Sequence, residues 1–105
     1  MTTASNRIDK LLPSNEDFIC LCIAIEERFL TVCDRYRRKW GVDVPIDDGV
    51  RGDMYLWRTA LLRHRKGDYR HTRSELQATR SFAQWTLDEN CKLCSRPFVK
   101  LEWND

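Results

Sequence analysis

Residues 15–40, with the sequence NEDFICLCIAIEERFLTVCDRYRRKW, form the stretch that decides the fold. Large apolar residues recur in it every three or four positions: Phe18, Cys22, Ile25, Phe29, Val32, Tyr36 and Trp40. Because this spacing matches the helical repeat, it places all seven on one face of a single long helix. The first half of the stretch is apolar on its other sides too, so we expect that half to be the buried centre of a bundle.

Capping and helix-breaking residues divide the rest of the chain. Ser14 is a good N-cap for the first helix, and Gly41 follows its last apolar residue. We take Asp68 as the N-cap of the last helix, directly after Gly67. The predicted segments are a short helix or arm over 1–13, helices over 15–40, 48–66 and 69–90, and a Cys-x-x-Cys turn and tail over 91–105.

These segments predict an all-α fold in a single domain of 105 residues. We expect an antiparallel three-helix bundle, because the connections are short, with a short N-terminal helix and an extended C-terminal tail. Apolar and charged residues alternate in that tail, which is typical of an extended segment. The predicted core centres on Phe18, Ile25, Phe29, Trp57, Leu61, Leu76 and Ala83.

The composition is that of an ordinary globular protein, with 42% apolar and 32% charged residues. The longest apolar run covers eight residues, 18–25, whereas a membrane span needs about twenty. The first residues show no basic segment followed by an apolar one, as a secretory signal would. We therefore expect a cytoplasmic protein with reduced thiols and no membrane partner.

Charge is distributed unevenly along the chain. Residues 1–33 carry three basic and five acidic groups, a net charge of −2, whereas residues 58–80 carry seven basic and two acidic groups, a net charge of +5. A basic segment in a nearly neutral protein favours a local binding face over general binding to polyanions.

Basic and polar residues recur at helical spacing in the predicted third helix. Guanidinium groups in a row suit phosphates or the carboxylates of an acidic partner, and aromatic neighbours suit base stacking or an interface hot spot. A hydrated helix face is the structural alternative. The predicted partner-binding residues are Arg70, Arg73, Gln77, Arg80, Gln84 and Trp85, extended by Arg35 and Arg38 from the first helix and by Trp103 from the tail.

The pair Cys91 and Cys94 has the spacing of half a zinc site. Neither Cys nor His follows Cys94, so further ligands would have to come from upstream, where Cys33 is the nearest candidate. We rank structural cysteines first, zinc at Cys91 and Cys94 second, and a redox dithiol third. No other cofactor is indicated.

Two histidines, His64 and His71, flank the predicted turn between the second and third helices. The expected state is a solvated basic turn, although a mixed site with Cys20 or Cys22 is conceivable. Arg58 and Arg65 precede the histidines with a spacing that resembles the Arg-x(4–6)-His motif of helical ribonucleases of the HEPN class. The resemblance implies that Arg and His act on a scissile phosphate, usually across a dimer.

Taken together, the sequence favours a non-enzymatic protein that binds a protein partner through a basic and aromatic helical face. It shows neither a phosphate-binding glycine loop nor an inward-facing pair of carboxylates. We expect a regulator, adaptor or inhibitor, and the small size would fit an inhibitor encoded by a mobile element. The alternatives are a nucleic-acid-binding protein that uses the arginine stripe and a HEPN-like ribonuclease. A homodimer is compatible with the long apolar stripe.

Overall fold

The computed structural model describes residues 15–94, with side chains from residue 18, as three α-helices joined by two loops. α1 covers Asn15–Trp40, α2 covers Asp48–Arg65 and α3 covers Arg73–Leu93. No strand occurs within the described residues, so the all-α class is confirmed for that part of the chain. The predicted N-terminal helix and extended tail lie outside the described residues.

The core forms where one face of each helix meets the other two. Six of the seven predicted core residues are buried, and the seventh, Phe29, is partly buried and packs against the core. The central cluster consists of Phe18, Cys22, Ile25, Trp57, Ala60, Leu61, Phe82 and Ala83. Burial of these side chains is the main favourable contribution to folding.

The first half of α1 is not buried on all sides, and that prediction is wrong. Cys20 is exposed, and Ile23 exposes 51% of its surface. Farther along the same helix, Leu30 exposes 66%. Only α2 and α3 contact α1 among the described residues, and they cover one side of it. An apolar surface therefore remains on the opposite side.

α3 begins at Arg73, four residues later than its predicted start, and ends at Leu93 rather than at residue 90. Its N-cap is Thr72, whose hydroxyl accepts from the backbone N–H of Glu75 at 3.1 Å. The Glu75 carboxylate in turn accepts from the Thr72 backbone N–H at 2.9 Å, which completes a capping box. This reciprocal cap satisfies two helix-terminal donors, so it fixes the helix start at Thr72 rather than at Asp68.

None of the helices within residues 15–94 has the length and apolar character needed to cross a membrane.

Candidate functional site

Three cationic residues near the carboxyl-terminal end of α1 are exposed to solvent. Arg37, Arg38 and Lys39 occupy its last turn, where positive charge interacts favourably with the helix dipole. Gly41 follows with a φ of 74°, a left-handed conformation that glycine adopts without steric cost. Its N–H donates to the Arg37 carbonyl at 2.7 Å, so the helix ends directly after Trp40.

Trp40 is exposed, contrary to its predicted place on the buried stripe: 59% of its surface is accessible. The ring centroid of Tyr36 lies 6.3 Å from that of Trp40, and Lys39 Nζ lies 5.4 Å from the Trp40 centroid. The core ends before this turn, because Val32 is the last fully buried residue of α1. We call Tyr36, Lys39 and Trp40, with Arg35 and Arg38 on the same two turns, the basic–aromatic patch.

Two acidic residues in this region pair with arginines and leave its net charge positive. Arg38 Nε lies 3.2 Å from an Asp34 carboxylate oxygen, and Arg37 pairs with Asp43. All four side chains are largely exposed, so each pair contributes little to stability. Residues 34–43 contain four cations and two anions, a net charge of +2. The exposed indole therefore lies in a segment with a net positive charge, with Lys39 over its ring.

Arg35 connects the patch to the end of α3. Its Nη1 donates to Asn90 Oδ1 at 2.6 Å and to the Cys94 sulfur at 2.7 Å, yet the guanidinium remains exposed. α3 extends to Leu93, and the backbone N–H of its C-cap, Cys94, donates to the Asn90 carbonyl at 3.1 Å. The end of α3 thus lies beside the predicted binding residue Arg35.

The predicted stripe on α3 is only partly a continuous exposed surface. Arg73 and Gln77 are exposed, whereas Arg80 and Gln84 are half-buried, and Gln84 donates to Asp88 at 2.8 Å. Arg70 precedes the helix; its Nε lies 3.1 Å from Asp68, and its side chain is 93% exposed.

Trp85 packs against the core instead of being fully exposed to solvent. Its ring is stacked on Phe82 at a centroid distance of 5.8 Å and an interplanar angle of 9°, and Phe29 lies 6.2 Å away. The indole is half-buried, so less of it is available to a partner than of Trp40. Trp103 lies outside the described residues.

His64 and His71 meet across the turn between α2 and α3. His64 Nδ1 and His71 Nε2 are 3.2 Å apart, and His64 is only 5% exposed. The expectation of a solvated turn is therefore wrong for His64. The HEPN-like spacing pairs these histidines with arginines, of which Arg58 is exposed and Arg65 lies 3.6 Å from Glu26. The hypothesis of a HEPN-like ribonuclease stays a prediction.

The end of α2 is tied to the start of α3 by Arg63. Its guanidinium donates to both carboxylate oxygens of Glu75, at 2.5 and 2.8 Å, and to the Arg70 carbonyl at 2.6 Å. Burial alone would raise the pKa of Glu75, but hydrogen bonds from Arg63 and from the Thr72 N–H hold it below its ordinary value. Glu75 is therefore a charged, buried carboxylate with a structural partner.

The cysteines occupy different environments. Cys91 is buried within the last turn of α3 rather than in a turn after it, and Cys94 is half-buried at the C-cap. Burial raises the pKa of Cys22 to about 11, although the Trp57 indole N–H donates to its sulfur at 3.2 Å. Such a thiol is protonated and unreactive at neutral pH. Within residues 15–94, no group of three or more His, Cys, Asp or Glu side chains is arranged to hold a metal ion.

The exposure of Trp40 was not anticipated from the sequence, whereas the proximity of His64 and His71 was, although as part of a solvated turn. Three consecutive cations before Gly41 mark a helix end in water, which argues against a buried Trp40. The spacing of His64 and His71 around Gly67 is compatible with a contact across a tight turn. No family model, curated protein or solved structure matches this chain.

Proposed function

We propose that this chain is a small, non-enzymatic interaction protein that binds a protein partner through the basic–aromatic patch at the end of α1. The observation that carries the proposal is the exposure of Trp40, at 59%, among cationic side chains. Exposed Trp, Tyr and Arg residues are the types that dominate binding energy at protein interfaces. A regulator, adaptor or inhibitor would act in this way, by occupying the surface of another protein.

The chemistry of the patch specifies the partner. Arg35, Arg38 and Lys39 favour carboxylates, and the Trp40 indole favours an apolar or aromatic side chain placed between them. A partner segment that carries Asp or Glu around one apolar anchor satisfies both requirements. Charge complementarity of this kind mainly increases the association rate and the specificity.

The up-down-up order of the helices is part of this proposal, because it places the patch beside the end of α3. It is supported by contacts of α1 with both neighbours. Near its start, Phe18 contacts His64 at the end of α2 and His71 before α3. Near its end, Arg35 contacts Asn90 and Cys94.

Replacing Trp40 with Ala is expected to weaken partner binding at least about thirtyfold, which corresponds to about 2 kcal/mol. The fold should persist, because the side chain is largely in solvent. Tagged wild-type and variant chains would be used to capture proteins from native lysate after nuclease treatment. The affinity of the captured protein would then be measured by calorimetry.

The matched control is Tyr55→Ala, which removes an aromatic side chain that is 70% exposed on α2. A discrete partner that is retained by wild type and by this control, and lost with Trp40→Ala, supports the proposal. Equal binding by all three chains would contradict it.

Nucleic-acid binding is the second candidate, favoured by the exposure of Arg70 and Arg73 before and at the start of α3. If this face binds phosphates, retention on a single-stranded oligonucleotide falls steeply with salt, and Arg73→Ala lowers the slope of log K against log salt by about one. The control is Arg51→Ala, an exposed arginine on α2. No retention at low salt, or an equal slope for both variants, would rule out this face.

A further inference from the structure

The contact between His64 and His71 is surrounded by aromatic rings. Phe18 of α1 is stacked on His71 with a centroid distance of 4.1 Å and lies 4.9 Å from the ring of His64. Tyr69 meets His64 edge-on at 4.7 Å. The two imidazoles are themselves nearly parallel, with 20° between their planes. The ring contacts thus join the turn between α2 and α3 to the first half of α1.

The charged side chains that act electrostatically on His71 come from α2, from the turn and from α3. Arg63 comes from α2, Asp68 from the turn and Glu75 from α3. Both carboxylates are already bound to Arg63, which lies 3.6 Å from Asp68 and donates two hydrogen bonds to Glu75. From α1, the contacting group is the neutral ring of Phe18.

The distance of 3.2 Å between His64 Nδ1 and His71 Nε2 allows one hydrogen bond, in which one nitrogen donates and the other accepts. That arrangement exists when the pair is neutral and when it carries one extra proton. A second extra proton turns both facing nitrogens into donors. The hydrogen bond is then lost, and two positive charges lie next to each other, one on the buried His64 and one on the half-buried His71.

We propose that the His64–His71 pair is a pH-sensitive switch, which holds the turn over residues 66–71 against α1 near neutral pH and releases it in mild acid. Protonation of both rings breaks their hydrogen bond and separates them. The turn then moves away from Phe18, while the capping box of α3 is made of groups that do not titrate in this range. The switch does not depend on the proposed binding function.

The direction of the pKa shift of His71 is consistent with a loss of stability in mild acid. Burial, and next the charge of His64, lower the pKa of His71 below its ordinary value of 6.5. The folded protein therefore binds this proton more weakly than the unfolded chain does. The resulting stability is complete above about pH 6.5 and declines as the pH falls toward the lower pKa of the folded state.

The test compares urea unfolding midpoints of wild type and His71→Gln at pH 7.5 and pH 5.5. The chain has two histidines, and no other side-chain type has its ordinary pKa within this window. We expect wild type to show a lower midpoint at pH 5.5. Glutamine retains a polar amide in place of the ring but does not titrate, so the variant should lose much of this decline. Equal midpoints for wild type at the two pH values, or the same decline in both proteins, would overturn the proposal.

A second measurement on the wild-type protein covers the case in which His71→Gln fails to fold. Nuclear magnetic resonance of the imidazole nitrogens follows the protonation of each ring, and cross-relaxation between the His71 and Phe18 rings reports their contact. We expect His71 to titrate below 6.5 and the contact signal to be lost over the same pH range. A His71 that titrates at or above 6.5, or a contact that persists when both rings are protonated, would overturn the proposal.

Discussion

Replacing Phe82 with Ala is expected to destabilise the protein by about 3–5 kcal/mol, the typical cost of truncating a buried phenylalanine. Phe82 is fully buried, and its ring lies within 6 Å, centroid to centroid, of the rings of Trp57, Phe29 and Trp85. These aromatic residues come from all three helices. The truncation therefore leaves a cavity at the place where the helices meet, and relaxation of one helix cannot fill it.

The expected loss is a large part of the stability of a small domain, which is typically 5–15 kcal/mol. Urea unfolding followed by circular dichroism measures it directly. Phe82→Leu should cost less, because it preserves most of the apolar volume. Tyr55→Ala on the exposed side of α2 should change stability by no more than about 0.5 kcal/mol. If Phe82→Ala and Tyr55→Ala were equally stable, Phe82 would not be at the centre of the core.

The periodic pattern of α1 was enough to identify its inner face but not the extent of its contacts. Phe18, Ile25 and Val32 are fully buried, in agreement with their spacing. Ile23 and Trp40 are exposed, although both are large and apolar. Periodicity gives the direction of a side chain around the helix axis. Whether a neighbouring helix reaches that position depends on the lengths and packing of the other helices, which the local sequence does not encode.

The start of α3 shows how two local signals compete. Asp68 follows Gly67 directly and is a good N-cap type, which favoured a helix from residue 69. Thr72 and Glu75 form the complete capping box, and this combination was readable in the sequence. Asp68 instead accepts from the Arg70 N–H at 3.2 Å within the loop. The reciprocal signal, in which two residues cap each other, is the stronger of the two.

The chemical character of the candidate site could be predicted from the sequence, but its location could not. Basic and aromatic residues were expected to share a surface; the structure brings Tyr36, Lys39 and Trp40 together at the end of α1, whereas the Trp85 ring packs against Phe82 and Phe29. The difference arises because Trp85 finds aromatic partners in Phe82 and Phe29, whereas Trp40 lies beyond the last buried turn. Contacts between segments that are distant in the sequence decide this outcome, and the periodicity of a single sequence does not reveal them.

Replacing Glu75 with Ala is expected to destabilise the protein by about 2–3 kcal/mol at pH 7. The Glu75 side chain is 5% exposed, and its carboxylate accepts hydrogen bonds from Arg63 and from the Thr72 N–H. The variant loses one half of the capping box and leaves Arg63 without its closest anion. Because Arg63 remains partly accessible to water, the cost stays below that of exposing a fully buried unpaired charge.

The pH dependence of this destabilisation distinguishes a contribution of the Glu75 charge from a contribution of its side-chain volume. The pKa of Glu75 in the folded protein lies below its ordinary value of 4.5, so its stabilisation is present above about pH 4.5 and is lost as the pH falls through the lower folded-state pKa. The difference in unfolding free energy between wild type and Glu75→Ala should therefore shrink between pH 7 and pH 3. Glu27→Ala, at an exposed glutamate of α1, is the matched control and should cost little at either pH. A difference for Glu75→Ala that stays constant with pH would mean that the side chain contributes through its volume and not through its charge.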